Sequence, residues 1–185
     1  MTKSARILIW SSNFWNFADG LLGPLFAVFA QKVGGNVLDI AWAWGVYLVV
    51  TGVCIVIVGY VSDKLPKLPI LFSGYILTAV LTFGYLFVTT PMQLLLLQAA
   101  MGFALALTNP TYMSLLGRFS IAGGKEGTTW GWADGRDKIA TGLAVFAGGM
   151  IVSAYSFETL FIVMGTLQLV ATAFIALLFK SEHIM

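Results

Sequence analysis

Charge is scarce in this chain. Only 10% of its 185 residues are Asp, Glu, Lys or Arg, against roughly a quarter in a soluble domain. With 59% of residues hydrophobic, a soluble helical protein could not give each helix the polar stripe it needs against water. The shortage excludes that class and argues for an integral membrane protein. Cysteine and histidine occur once each, as Cys54 and His183. One Cys excludes an internal disulfide, and the pair supplies no metal-ligand cluster. There is no phosphate loop of the Walker type and no nucleophile spaced against a base. We therefore expect no enzyme, no ATP hydrolysis, no metal and no cofactor. The few basic residues are scattered among loops, which leaves no nucleic-acid surface. The N-terminal apolar run carries Asp19 and lacks a small-residue cleavage site, so it does not read as a signal peptide.

What is abundant fits lipid. Phe occurs 14 times, Trp six and Gly 20 times, and glycine lets membrane helices approach closely. A spanning helix needs roughly 20 apolar residues. Six segments meet that length, near 7–31, 38–61, 69–88, 92–116, 126–155 and 157–179. The predicted fold is all-α: one membrane domain over 1–185, a six-helix bundle with no separate soluble part. Trp42 and Trp44 open the second segment where an aromatic belt belongs. Pro69 suits the first turn of the third. The fifth segment enters through GKEGTTWGWADGRDK before its apolar core, and Gly148 and Gly149 mark close packing there. Glu158 suits the first turn of the sixth, near the positive end of the helix dipole.

Placing both termini in the cytoplasm puts Lys3, Arg6, Lys64, Lys67, Arg118, Lys125, Arg136, Lys138 and Lys180 at or near the inner surface. Lys32 alone is then outside. The positive-inside rule favours that orientation, and it agrees with an even number of crossings.

Asp19 is the residue around which the rest is arranged. A carboxylate at bilayer depth is costly, and it usually faces a protein interior or a watery cavity. Asn16, Asp19 and Gly23 share one helix face. Asp19 reads as a protonatable or cation-binding group, or as a buried contact between helices. Asn13 and Asn16 can bind a polar solute or join helices, and Trp15 and Phe17 read as packing residues. Pro24 predicts a bend in the first segment. In the fourth, Gln98, Asn109 and Tyr112 are candidate lining residues beside a weak point at Pro110. Arg118 at its end reads as an anchor or loop partner. In the fifth, Glu126, Trp130, Asp134, Arg136 and Lys138, with Asp137, suggest either a cytoplasmic gate or a charged cap.

The loop GYVSDKLPK, from Gly59 to Lys67, resembles the loop G-x-x-x-D-R/K-x-G-R of the major facilitator superfamily. Gly59, Asp63 and Lys64 match, Lys67 stands for the usual Arg, and Pro66 replaces the usual Gly. Asp19–Gly20, N-P-T-Y and W-G-W-A-D are similar to bacterial facilitators as well. The resemblance covers the chain as one six-helix half of a fold that normally has two. It implies secondary transport of a small solute, by symport or antiport, in a bacterial or archaeal cytoplasmic membrane. It implies a second bundle: a homodimer, or a heterodimer with another six-helix half. It also implies a conformational role for the loop, with Asp63 meeting the start of the partner's fifth helix. The alternatives are a membrane accessory protein that transports nothing, or one half of a split or truncated transporter. The partners expected are the solute, membrane lipids and that second bundle.

Overall fold

The computed structural model describes residues 3–120 and 126–182, excepting the side chains at 3, 119, 120, 126, 129, 133 and 180–182. Lys125 and His183 lie outside the described residues, as do the side chains of Lys3, Glu126 and Lys180. The described elements are helical: α1 (Lys3–Leu22), α2 (Leu25–Lys32), α3 (Val37–Ser62), α4 (Lys67–Gly84), a 3-10 turn (Tyr85–Phe87), α5 (Pro91–Ser120), α6 (Glu126–Ala154) and α7 (Phe157–Glu182).

Local chemistry sets the breaks. The predicted 7–31 segment is two helices rather than one, because Pro24 carries no N–H and its ring obstructs the preceding turn. Helix α2 restarts directly after Pro24. It ends at Lys32, two residues before Gly34, whose φ of 89° is open to glycine at little cost. There Gly35 N donates to the Ala30 carbonyl at 2.9 Å. Asn36 opens α3 with a capping box: its Oδ1 accepts from Leu38 N and Asp39 N, and Asp39 Oδ2 accepts from Asn36 N. Pro69 occupies the third position of α4, where an amide hydrogen has no helical partner to lose. The predicted 69–88 segment ends as helix at Gly84 and tightens into the 3-10 turn. Helix α5 runs on through Pro110.

Helix α1 lies across α6 and α7, α3 lies along α5, and α4 joins α5 to α7. Small residues set the crossings. A Cβ on Gly148 would collide with the Leu21 carbonyl, one on Gly102 would stand 2.6 Å from the Tyr47 carbonyl, and one on Gly74 2.7 Å from Thr108 Cγ2. Gly149, beside Gly148, meets open space. Two aromatic-rich cores fill the bundle. One packs Phe29, Tyr85, Phe157 and Phe161; the other packs Trp15, Tyr75, Leu116 and Ile175. Lys32 at the end of α2 pairs with Glu158 at the start of α7 at 3.0 Å, so those two ends are neighbours.

Among the described residues, five helices are long and apolar enough to cross a membrane: Val37–Ser62, Lys67–Phe87, Pro91–Arg118, Trp130–Ala154 and Phe157–Phe179. The first predicted crossing is not among them. Ser11, Ser12, Asn13, Asn16 and Asp19 lower its apolarity, and the Pro24 break shortens it.

The burial of the five is uneven. In α7, 44% of the apolar window is buried, and in α4 and α5 39%; in α3 and α6 the figure is 11%. Both open helices carry glycines seven residues apart, Gly45, Gly52 and Gly59 on α3 and Gly135, Gly142 and Gly149 on α6. A Cβ at any of the six would meet nothing within 4 Å. A seven-residue repeat drifts only about 20° per step, so each trio holds one side of its helix.

Candidate functional site

Asp19 lies on α1 one turn before the Pro24 break, and its side chain is exposed rather than packed. It faces a cavity of about 80 Å³ shared with Gln98 of α5, Tyr47 of α3, Thr78 of α4 and Tyr85. Trp15 and Trp44 also line this space. Trp15 lies 4.1 Å from Tyr75 between ring centroids, and Trp44 lies 5.6 Å from Phe26. No ion pair among the described residues reaches Asp19. Its charge, when present, is left to water or a solute. The cavity admits several waters but is far below the ~300 Å³ of a small drug-sized site. It is partly open to the outside of the bundle.

Below Asp19 on the same side of α1 lies a second polar cluster. Ser12 Oγ donates to Asp137 Oδ2 at 2.9 Å. Asn16 Nδ2 donates to the Ser12 carbonyl at 3.0 Å and to Ser12 Oγ at 3.1 Å. Thr141 Oγ donates to the Asp137 carbonyl at 2.8 Å. The Tyr112 hydroxyl and Asp137 Oδ1 are buried there without a hydrogen-bond partner. Ser12 and Asn16 on α1, and Asp137 and Thr141 on α6, are each four residues apart. That spacing puts each pair on one helix face, and it was the available signal for a contact that the sequence reading did not draw.

The other predicted residues disperse. Gln98, Asn109 and Tyr112 keep to one side of α5 by their spacing; Gln98 is buried, Asn109 exposed and Tyr112 half-buried. Asn13 turns away from Asp19, into a lateral groove between α1 and α6. In the loop, Asp63 and Lys67 pair with each other at 3.6 Å, and Lys64 is exposed. On α6 the charges separate. Asp134 and Lys138 pair at 3.9 Å in the open, and Trp130 packs into the core. Arg136 stands over the Trp10 and Trp132 rings. Arg118 is exposed in the last turn of α5. The described side chains of the expected gate do not converge.

A cavity lined by Asp19 and aromatic side chains, on a bundle of membrane-length helices, is the architecture of a polytopic membrane protein. The Major Facilitator Superfamily model matches residues 9–184, and the chain belongs to that family. It is 25% identical over 165 residues to an uncharacterized MFS-type transporter of Methanocaldococcus jannaschii, covering 89% of this chain and 42% of that protein. It is 27% identical over 150 residues to the multidrug resistance protein MdtG of Salmonella schwarzengrund, covering 79% and 37%. It is 25% identical over 150 residues to MdtG of Enterobacter lignolyticus, covering 79% and 36%. The chain spans about two fifths of the length of these curated relatives. Like the family, it is a multi-pass protein of the cytoplasmic membrane type.

Proposed function

We propose that this chain is one bundle of a two-bundle secondary transporter, and that Asp19 faces the solute pathway between the bundles. The observation that carries the reading is an exposed carboxylate, without an ion pair among the described residues, on the wall of an open cavity within the bundle. In this reading α1 and α2 together form a sixth crossing, and both termini face the cytoplasm, where Arg6, Lys64, Lys67 and Arg118 would gather. A two-fold axis along the membrane normal relates a second copy in the same orientation, as it relates the halves of such transporters. The open glycine trios of α3 and α6 suit close approach of that second bundle. Rocking of the two bundles would then give alternating access. Asp63 would meet the first turn of α6 in the other bundle, where a helix N-terminus favours an acid.

The solute we propose is small and lipophilic, neutral or cationic. Aromatic rings beside Asp19 suit such a molecule, and two of the relatives are named multidrug resistance proteins. Asp19 would take up a proton or cation in one state and release it in the other. Asp19→Asn should leave a folded protein that loses gradient-driven transport of an aromatic cation such as ethidium in liposomes by ~100-fold. Unchanged driven transport in that variant refutes the coupling role.

The short coverage of the relatives favours one variation: the second bundle can come from a different six-helix sequence. Co-purification of two differently tagged copies separates the two cases. Recovery of both tags together supports the homodimer; recovery of one tag with another six-helix protein supports the mixed pair.

A further inference from the structure

On the side of α1 opposite Asp19, an apolar groove of about 500 Å³ opens between α1 and α6. Its walls include Phe14 and Phe17 of α1, Ile139 and Leu143 of α6 and Leu167 of α7. Arg136 stands in it, with its guanidinium 5.3 Å from the Trp132 ring centre and 6.0 Å from that of Trp10. We propose that this groove is a binding site for an anionic phospholipid, with the head-group phosphate held by Arg136 and an acyl chain laid along the apolar floor.

Charge complementarity selects this occupant. Arg136 forms no ion pair with a described residue. The acids near it in sequence are engaged elsewhere: Asp137 accepts from Ser12, and Asp134 pairs with Lys138. By helical spacing Trp132, Arg136, Ile139 and Leu143 form one stripe of α6, while Asp134 and Lys138 lie well round the helix. The groove therefore presents one uncompensated cation and no acid. Depth fits as well. Arg136 is six residues into the Trp130–Ala154 stretch, about 9 Å along the helix, where head groups give way to acyl chains. Tryptophan favours that same level. The guanidinium fork matches a phosphate in geometry, and basic pockets between membrane helices take lipid head groups. One turn beyond Trp10, Asn13 also lines the groove, with its Oδ1 buried and unpartnered. Turned over, that amide offers its NH₂ to a lipid ester carbonyl.

The test is native mass spectrometry of the detergent-purified full chain with added phosphatidylglycerol or phosphatidylcholine. The wild type should retain phosphatidylglycerol, and at least tenfold more of it than phosphatidylcholine. Arg136→Gln should abolish that preference. Leu143→Trp, which fills the floor and leaves the charge, should reduce retention of both lipids. Equal retention of the two lipids by the wild type overturns the proposal. So does an unchanged preference in Arg136→Gln. A third overturning result is a cysteine at position 143, in a Cys54→Ser background, that crosslinks to a second copy in lipid. The lipid-retention readouts depend neither on transport nor on Asp19, so they stand apart from the function proposed above.

Discussion

Helices α3 and α7 are both 26 residues long, and their apolar windows have the same mean hydropathy of 2.2. Yet 44% of the α7 window is buried and 11% of the α3 window. Helix α6 is as open as α3. Hydrophobicity therefore does not decide which helix forms the core of this bundle; small residues mark where its helices come closest. Gly165 on α7 lies against the Phe83 ring, where an added Cβ would stand 2.5 Å from Cζ. A Cβ at Gly45, Gly52 or Gly59 of α3 would meet nothing within 4 Å among the described residues. In lipid there is little hydrophobic drive between helices, so close packing of small residues directs association. In the proposed function, the α3 and α6 trios are where a second bundle would make such contacts.

That contrast can be broken by substitution. The largest effect is expected at Gly148, where a side chain must displace the Leu21 backbone rather than a flexible side-chain end. Gly148→Leu should prevent recovery of folded protein, since overpacking that cannot relax costs more than the usual 1–3 kcal/mol. Size-exclusion profiles in mild detergent read this directly, and a monodisperse, wild-type-like peak would remove the α1–α6 crossing from the account. Gly52→Leu should behave in the opposite way. The fold should persist with melting within a few degrees of wild type, while association and transport fall by ~10-fold. A variant that transports normally would show that this side of α3 faces only lipid. The smallest effect is expected at the α2–α7 end. Lys32 and Glu158 are half-exposed, and exposed pairs contribute roughly 0–1 kcal/mol. Lys32→Ala should therefore lower thermal stability by no more than a few degrees.

Much of the fold was legible because its signals are local. Long apolar runs and the Pro24 break are read from neighbouring residues. The first crossing was the exception: its serines, asparagines and Asp19 pull it below the hydropathy of the rest, and Pro24 divides it. The site was legible in part. Asp19 and Gln98 lie on one cavity, but their shared wall depends on α3 and α4 residues, Tyr47 and Thr78, that no spacing links to Asp19. Asn13 and Asn16 look alike in sequence, yet three residues of helix turn one into the lateral groove and the other toward Ser12. The mixed charges of α6 read as one cluster along the chain. At 100° per residue they point to different sides, which separates Arg136 from Asp134 and Lys138.

The central claim is that the Asp19 wall is completed by a second bundle. It is tested most directly by the protein mass of the complex in lipid nanodiscs, measured on the same preparation that transports. The account predicts two chains, and a fall in both pairing and activity in Gly52→Leu. A single chain that still carries solute against a gradient would contradict it.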